Sequence, residues 1–230
     1  LPALGVGEMS LCVHAVGLNF RDVLNLLGAY PGDPGPPGGD AAGTVDQAAS
    51  LVRTAGEAVF GLALAPLACV ARASSLLLTS KPATLRFEQS CTLPVTWSTV
   101  HVAVEQALVC AGRRLVVQAA AGGVGIKAVE YAQWLGAGAL GTAGRPHKHV
   151  QLRSMGIDEL CSSRDGTAFA AGAAGLLRGE RVYVALNSLS LDFIAASFAL
   201  LGAGGCFDEI GKLGIWAQPR RAARDNVAIH

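Results

Sequence analysis

The chain has 230 residues, 51% of them apolar and 15% charged, which is enough apolar surface for a sizeable core and far from the polar, highly charged composition of a disordered chain. Eighteen Lys and Arg against 17 Asp and Glu leave a net charge of +1, so there is no basic footprint for nucleic-acid phosphate or an anionic membrane surface. Mean hydropathy is +0.42, yet the longest uncharged run, Gln89–Val104, contains Gln, Ser, Thr, Pro and His and is shorter than the roughly 18 to 20 apolar residues of a membrane span.

The opening LPALGVGEMSL lacks the basic start and continuous apolar core of a secretion signal, so a cytoplasmic protein is expected. Asn19 can cap a short helix: Asp22 lies three residues on, Val23, Leu24 and Leu27 form an apolar face, and Gly28 supplies a stop, with Tyr30 just beyond. PGDPGPPGG at 31–39 is a loop, because Pro fixes φ and Gly permits positive φ. From Ala41 to about Leu78, short apolar runs broken by Gly, Pro and isolated charges predict β-strands of a compact barrel-like domain.

Beyond Lys81-Pro82 the period changes. Apolar strands alternate with amphipathic helices: LVVQ at 115, Val124–Leu135, ALGTA at 139, His147–Met155, VYVAL at 182, Phe193–Leu201 and GCFDEI at 205. Such alternation means parallel pairing through right-handed crossovers, a doubly wound α/β fold. Gly136, Gly156 and Gly202 are expected to end the three helices. Six cysteines (Cys12, Cys69, Cys91, Cys110, Cys161, Cys206) stand singly, without CxxC spacing, and read as small buried hydrophobes. His147 and His149 would point apart on a helix, so no metal site is expected.

Leu115-Val-Val-Gln-Ala-Ala-Ala-Gly-Gly-Val-Gly125 runs from a buried strand into a helix. Ala121, Gly122, Gly123, Val124 and Gly125 form its turn; the glycines remove Cβ atoms where a pyrophosphate approaches the backbone, and the helix N-terminus presents N–H groups and a positive dipole end. A dinucleotide is expected there. An NAD-binding chain places an acidic residue about 20 positions on, to take the ribose 2′-hydroxyl. Here Ala143, Gly144 and Arg145 occupy that place, with Lys148 nearby, so NADPH and its additional phosphate are expected.

The ordered set GLNFRDVLNLLGAYPGD at 17–33, GEAVFG at 56–61, SCTLPVTWSTVHVAV at 90–104, AAAGGVG at 119–125, LNSL at 186 and EIGK at 209 resembles the enoyl reductase domain of modular type I polyketide synthases, in the zinc-independent, quinone-reductase-like branch of the medium-chain dehydrogenase/reductase superfamily. Animal fatty acid synthases have a similar domain, but the AYPGD segment favours the polyketide branch. The resemblance implies an α/β fold with a truncated GroES-like β-rich substrate domain over residues 1–88, followed by a doubly wound parallel-sheet (Rossmann) domain over 89–230, with parts missing at both ends.

It further implies reduction of a 2-enoyl thioester carried on an acyl carrier protein, beside neighbouring synthase domains and without metal: NADPH gives a hydride to the β-carbon, and a proton reaches the α-carbon. By resemblance Tyr30 and Lys212 are the proton donors. Asn19, with Asp22 behind it, packs beside the nicotinamide; Asn187 and Ser188 line the nicotinamide pocket; and Thr99, on the helix entering the nucleotide domain, is a cofactor contact. Two alternatives stand beside this reading. One is a catalytically silent NADPH-binding or scaffolding module of a megasynthase; the other is a free-standing quinone oxidoreductase.

Overall fold

The computed structural model describes residues 3–49, 52–190, 192–211 and 228–229. They form two compact units, Leu1–Ser98 and Thr99–His230.

In the first unit, β1 (Glu8–Gly17), β2 (Asp40–Ala48), β3 (Ala58–Leu62), β4 (Val70–Ser74) and β5 (Leu78–Ser80) make an antiparallel sheet in the order β4-β1-β2-β3-β5. Met9, Leu11, Val45, Val59, Ala73 and Leu78 form its buried core. The helix expected after Asn19 is α1 (Phe20–Leu26), where the Asp22 carboxylate accepts the Asn19 N–H at 2.8 Å. Its apolar face is narrower than expected: Leu24 is buried, whereas Val23 and Leu27 are exposed. A short helix α2 (Phe87–Ser90) leads to α3 (Pro94–Gln106). The division between units falls inside α3, a little beyond the expected 88/89 boundary. The reason is local, since Asp40 accepts the Val95 N–H and so ties the first turn of α3 to the first unit.

The second unit carries β6 (Arg114–Val117), α4 (Gly123–Trp134), β7 (Gly138–Ala143), α5 (Pro146–Ser154), β8 (Leu160–Ser162), α6 (Gly166–Leu177), β9 (Val182–Asn187), α7 (Asp192–Leu200), β10 (Leu201–Glu209) and β11 (Ala228–Ile229). All the strand pairs are parallel, in the order β11-β10-β9-β6-β7-β8. Strand order therefore reverses between β6 and β9, the topological switch point whose crevice takes ligands in open α/β sheets. Strand side chains alternate between two cores. Leu115 and Val117 join Val104, Val129 and Leu152 on the side of α3, α4 and α5; Val116 joins Phe169, Phe193 and Phe198 on the side of α6 and α7.

The helices and strands expected over 115–155 and 182–209 are present, with three differences. Gly136 (φ 72°) and Gly156 (φ 84°) do follow helix ends, but Gly202 lies inside β10, because α7 runs straight into that strand without a left-handed turn. The pattern gave no sign of β8 or α6: β8 is only three residues long, and Gly166, Gly172 and Gly175 disguise α6. The cysteines divide: Cys91, Cys161 and Cys206 are buried, but Cys12, within β1, and Cys69 and Cys110, in loops, are exposed.

Among the described residues no helix is long and apolar enough to cross a membrane, and no three His, Cys, Asp or Glu stand together as metal ligands.

Candidate cofactor site

The loop between β6 and α4 is built from the strand end upward. Gln118, 2% exposed, continues β6 by donating its N–H to the Leu186 carbonyl. Ala119 then turns left-handed (φ 51°), its N–H held by Thr142 Oγ1 at 3.0 Å, and the Ala120 N–H goes to the Thr142 carbonyl at 2.8 Å. Thr142 Oγ1 donates to Gln118 Oε1 at 2.9 Å, and Gln118 Nε2 donates to Ser197 Oγ at 2.9 Å. Gln118, Thr142 and Ser197 are all buried, so the loop rests on a polar network with little freedom.

Helix α4 begins after Gly122, whose lack of a side chain leaves the first-turn N–H groups uncapped. A Cβ on Gly125 would lie 2.5 Å from the Ala119 carbonyl oxygen and 2.6 Å from Ala120 Cα, so only glycine lets the helix start this close to the turn. Such a cradle suits an anion that approaches the backbone.

At the end of β7 stand Ala143 and Gly144, followed by Arg145, the exposed N-cap residue of α5, and half-buried Lys148 one turn later. Arg164, exposed after β8, donates Nε to the Gly144 carbonyl at 3.4 Å, and a Cβ on Gly144 would strike its guanidinium. Arg164 therefore lies against the tip of β7, and Arg145 and Lys148 follow that tip in the chain. The nearby Asp165 carboxylate is occupied in capping α6, accepting the Ala168 N–H at 2.7 Å.

At the end of β9, fully buried Asn187 donates Nδ2 to the Leu189 carbonyl at 2.6 Å and to both Glu209 oxygens at 3.1 and 3.0 Å, while its Oδ1 is buried without a hydrogen-bond partner. Ser188 donates Oγ to the Gln118 carbonyl at 3.2 Å, joining this tip to the glycine loop. The glycine cradle, the uncapped helix and the acceptor on Asn187 fit a dinucleotide laid across the switch point. A second charged cluster, in which Arg114 pairs with Glu159 and Glu180, lies at the opposite ends of β6 and β8.

No family model matches the chain. It is 42% identical over 228 residues to the spectinabilin polyketide synthase system protein NorB of Streptomyces orinoci, covering 96% of this chain but only 10% of that protein. Among solved structures, the CurK enoyl reductase superposes with a TM-score of 0.90 at 34% identity, over 97% of this chain and 72% of that one. The chain belongs to the polyketide synthase enoyl reductases. Mycobacterial Rv1454c complexed with NADPH superposes with a TM-score of 0.87 at 25% identity, over 100% of this chain and 74% of that one.

Within this enoyl reductase the structure brings Gly122, Gly123, Val124 and Gly125 together with Ser188 and Asn187 at the switch point, and Arg145 with Lys148 at the β7 tip. In the first unit, Asn19 and Asp22 open α1, and half-buried Tyr30 lies in the loop after it. Thr99 is half-buried in α3. Lys212 lies outside the described residues. Arg164 and the Gln118, Thr142 and Ser197 network were missed by sequence reasoning; the one local signal for Arg164 is its place in SSRDG, immediately before the Asp165 cap.

Proposed function

We propose that this chain reduces the α,β double bond of a 2-enoyl thioester presented by an acyl carrier protein, in the cytoplasm and beside neighbouring domains of a polyketide synthase. The observation that carries the reading is the match between a backbone cradle closed by Gly125 and the three cations at the β7 tip, a charge pattern suited to the pyrophosphate and 2′-phosphate of NADPH. When bound, NADPH supplies the hydride that is delivered to the β-carbon.

The residues have separate tasks. Gly122–Gly125 and the first turn of α4 hold the pyrophosphate; Arg145, Lys148 and Arg164 select the phosphorylated ribose; and Asn187 and Ser188 orient the nicotinamide end. Tyr30 and Lys212, by their places in GAYPGD and EIGK, hold the proton that reaches the α-carbon, and Lys212 also stabilises negative charge on the thioester oxygen. Asn19 braces the nicotinamide from α1, and Thr99 adds a contact from α3.

Quinone reduction is the second reading, favoured by the likeness to a quinone oxidoreductase of Pseudomonas syringae pv. Tomato, which superposes with a TM-score of 0.87 at 25% identity, over 100% of this chain and 74% of that one. NADPH oxidation by the full polypeptide that carries these residues, with a 2-enoyl pantetheine thioester and separately with a quinone, distinguishes the two. Thioester turnover is expected. Turnover of quinone alone would replace the reading, and tight NADPH binding with neither turnover would make the chain a silent binding module.

A further inference from the structure

Asp40, the first residue of β2, is 1% exposed, and two donors from different elements converge on it. Asn19 Nδ2 donates to one carboxylate oxygen at 2.9 Å, and the Val95 N–H in the first turn of α3 donates to the other at 2.9 Å. The surroundings supply negative rather than positive charge. Asp22 faces it from α1, where it is itself buried and accepts the Asn19 and Gly38 N–H groups. Cys91, in the turn after α2, is also buried, and its thiol is pushed up first by burial and then by the charge on Asp40. β1 and β3 meet Asp40 through Gly17 and Leu62, neither of which titrates.

The two donors respond differently to a proton on this carboxyl. A backbone N–H cannot become an acceptor, so the oxygen facing Val95 must stay unprotonated. A carboxamide can turn over, exchanging its NH2 for its carbonyl oxygen. The proton therefore belongs on the oxygen facing Asn19, and its arrival reverses the Asn19 amide. We propose that Asp40 is a positioning residue that sets the hydrogen-bonding polarity of Asn19. Ionised, it takes Nδ2 and keeps the Asn19 carbonyl oxygen as an acceptor, the polarity that the capping box at the start of α1 uses; protonated, it donates to that oxygen and presents the NH2 in its place.

The consequence for reduction rests on the reading of Asn19 as a brace for the nicotinamide. Burial raises the Asp40 carboxyl to about 6 despite its two hydrogen bonds, which brings the reversal close to neutral pH.

The test follows nitrogen-15 and proton resonances of the wild-type chain from pH 5 to 8. The Asn19 side-chain amide should titrate in one step near 6, while the Val95 amide, whose acceptor persists, moves less. Asp40→Asn should abolish the Asn19 transition. In the activity arm, the wild-type polypeptide should lose rate about tenfold per pH unit below that midpoint, and Asp40→Asn should lack this acid limb. An Asn19 amide that stays constant, or a Val95 amide that moves as much as Asn19, overturns the proposal. Should Asp40→Asn not fold, the wild-type titration decides. Absence of any thioester reduction would remove the proposed function while leaving the Asn19 titration to be scored by itself.

Discussion

Thr142 Oγ1 accepts the Ala119 N–H at 3.0 Å and donates its own hydrogen bond to Gln118 Oε1 at 2.9 Å, so a single hydroxyl holds the left-handed residue at the head of the dinucleotide loop. A non-glycine residue in that conformation costs about 1–3 kcal/mol and persists only where its surroundings hold it. Thr142→Val keeps the shape but leaves the Ala119 N–H and Gln118 Oε1 unpartnered, at about 1–3 kcal/mol each. Thermal unfolding should show a lower midpoint, and NADPH fluorescence titration a weaker complex by about tenfold or more, with Thr142→Ser restoring both. Unaltered NADPH affinity in Thr142→Val would show that the loop does not depend on this hydroxyl.

Gly125→Ala should abolish NADPH binding, because the new Cβ would meet backbone atoms at 2.5 to 2.7 Å that cannot move without opening the turn. Gly175→Ala in α6 is the control. Nothing lies within 4 Å of its Cβ position, and alanine there should stabilise the helix by about 0.5–1 kcal/mol. Calorimetric titration with NADPH and urea unfolding read the two effects.

Replacing Arg145, Lys148 or Arg164 by Ala should weaken NADPH more than NADH, by about 1.5–3 kcal/mol for each charged hydrogen bond to the 2′-phosphate that is lost. Arg164→Ala decides the most, since its guanidinium lies against Gly144 from the loop after β8. Equal weakening of both cofactors would remove these residues from phosphate recognition.

The stability contribution of Asp40 has a defined sign. Its carboxyl is raised in the folded chain from 3.8 to about 6, chiefly by burial, so the folded state holds the proton more tightly than the unfolded chain. That contribution is fully present below 3.8 and is lost as pH rises through 6. Wild type should therefore gain stability relative to Asp40→Asn between pH 7 and 4, by roughly 1.4 kcal/mol for each pH unit that separates the folded and unfolded values. Urea unfolding of both chains across that range measures it; a difference that does not vary with pH would contradict the buried ionisation.

Native alkylation with iodoacetamide should label Cys12, Cys69 and Cys110 and spare Cys91, Cys161 and Cys206 until unfolding. Burial pushes the Cys161 thiol up to about 11 and the Cys206 thiol up to about 12, so neither forms thiolate near neutral pH. Peptide mass spectrometry before and after denaturant distinguishes the two sets.

The parallel unit was legible in the residues because its signals are local. Leu115-Val-Val is apolar on both sides of the chain as a strand buried on both faces must be, Gly136 and Gly156 punctuate helix ends, and the turn from Ala121 to Gly125 carries its glycines within one short stretch. Absence of an acid at Ala143–Arg145 is likewise a statement about neighbours in the chain.

Tertiary structure decided what depends on distant pairing. Arg164 reaches Gly144 because β8 lies beside β7, with Thr142 opposite Cys161 and Ala143 opposite Ser162. Gln118 finds Ser197 across 79 positions, and Asp40 gathers Asn19 across 21 and Val95 across 55. Burial, which gives the Asp40 carboxyl its raised pKa and separates three protected cysteines from three exposed ones, is set by the closed chain around a residue and by no property of the residue itself.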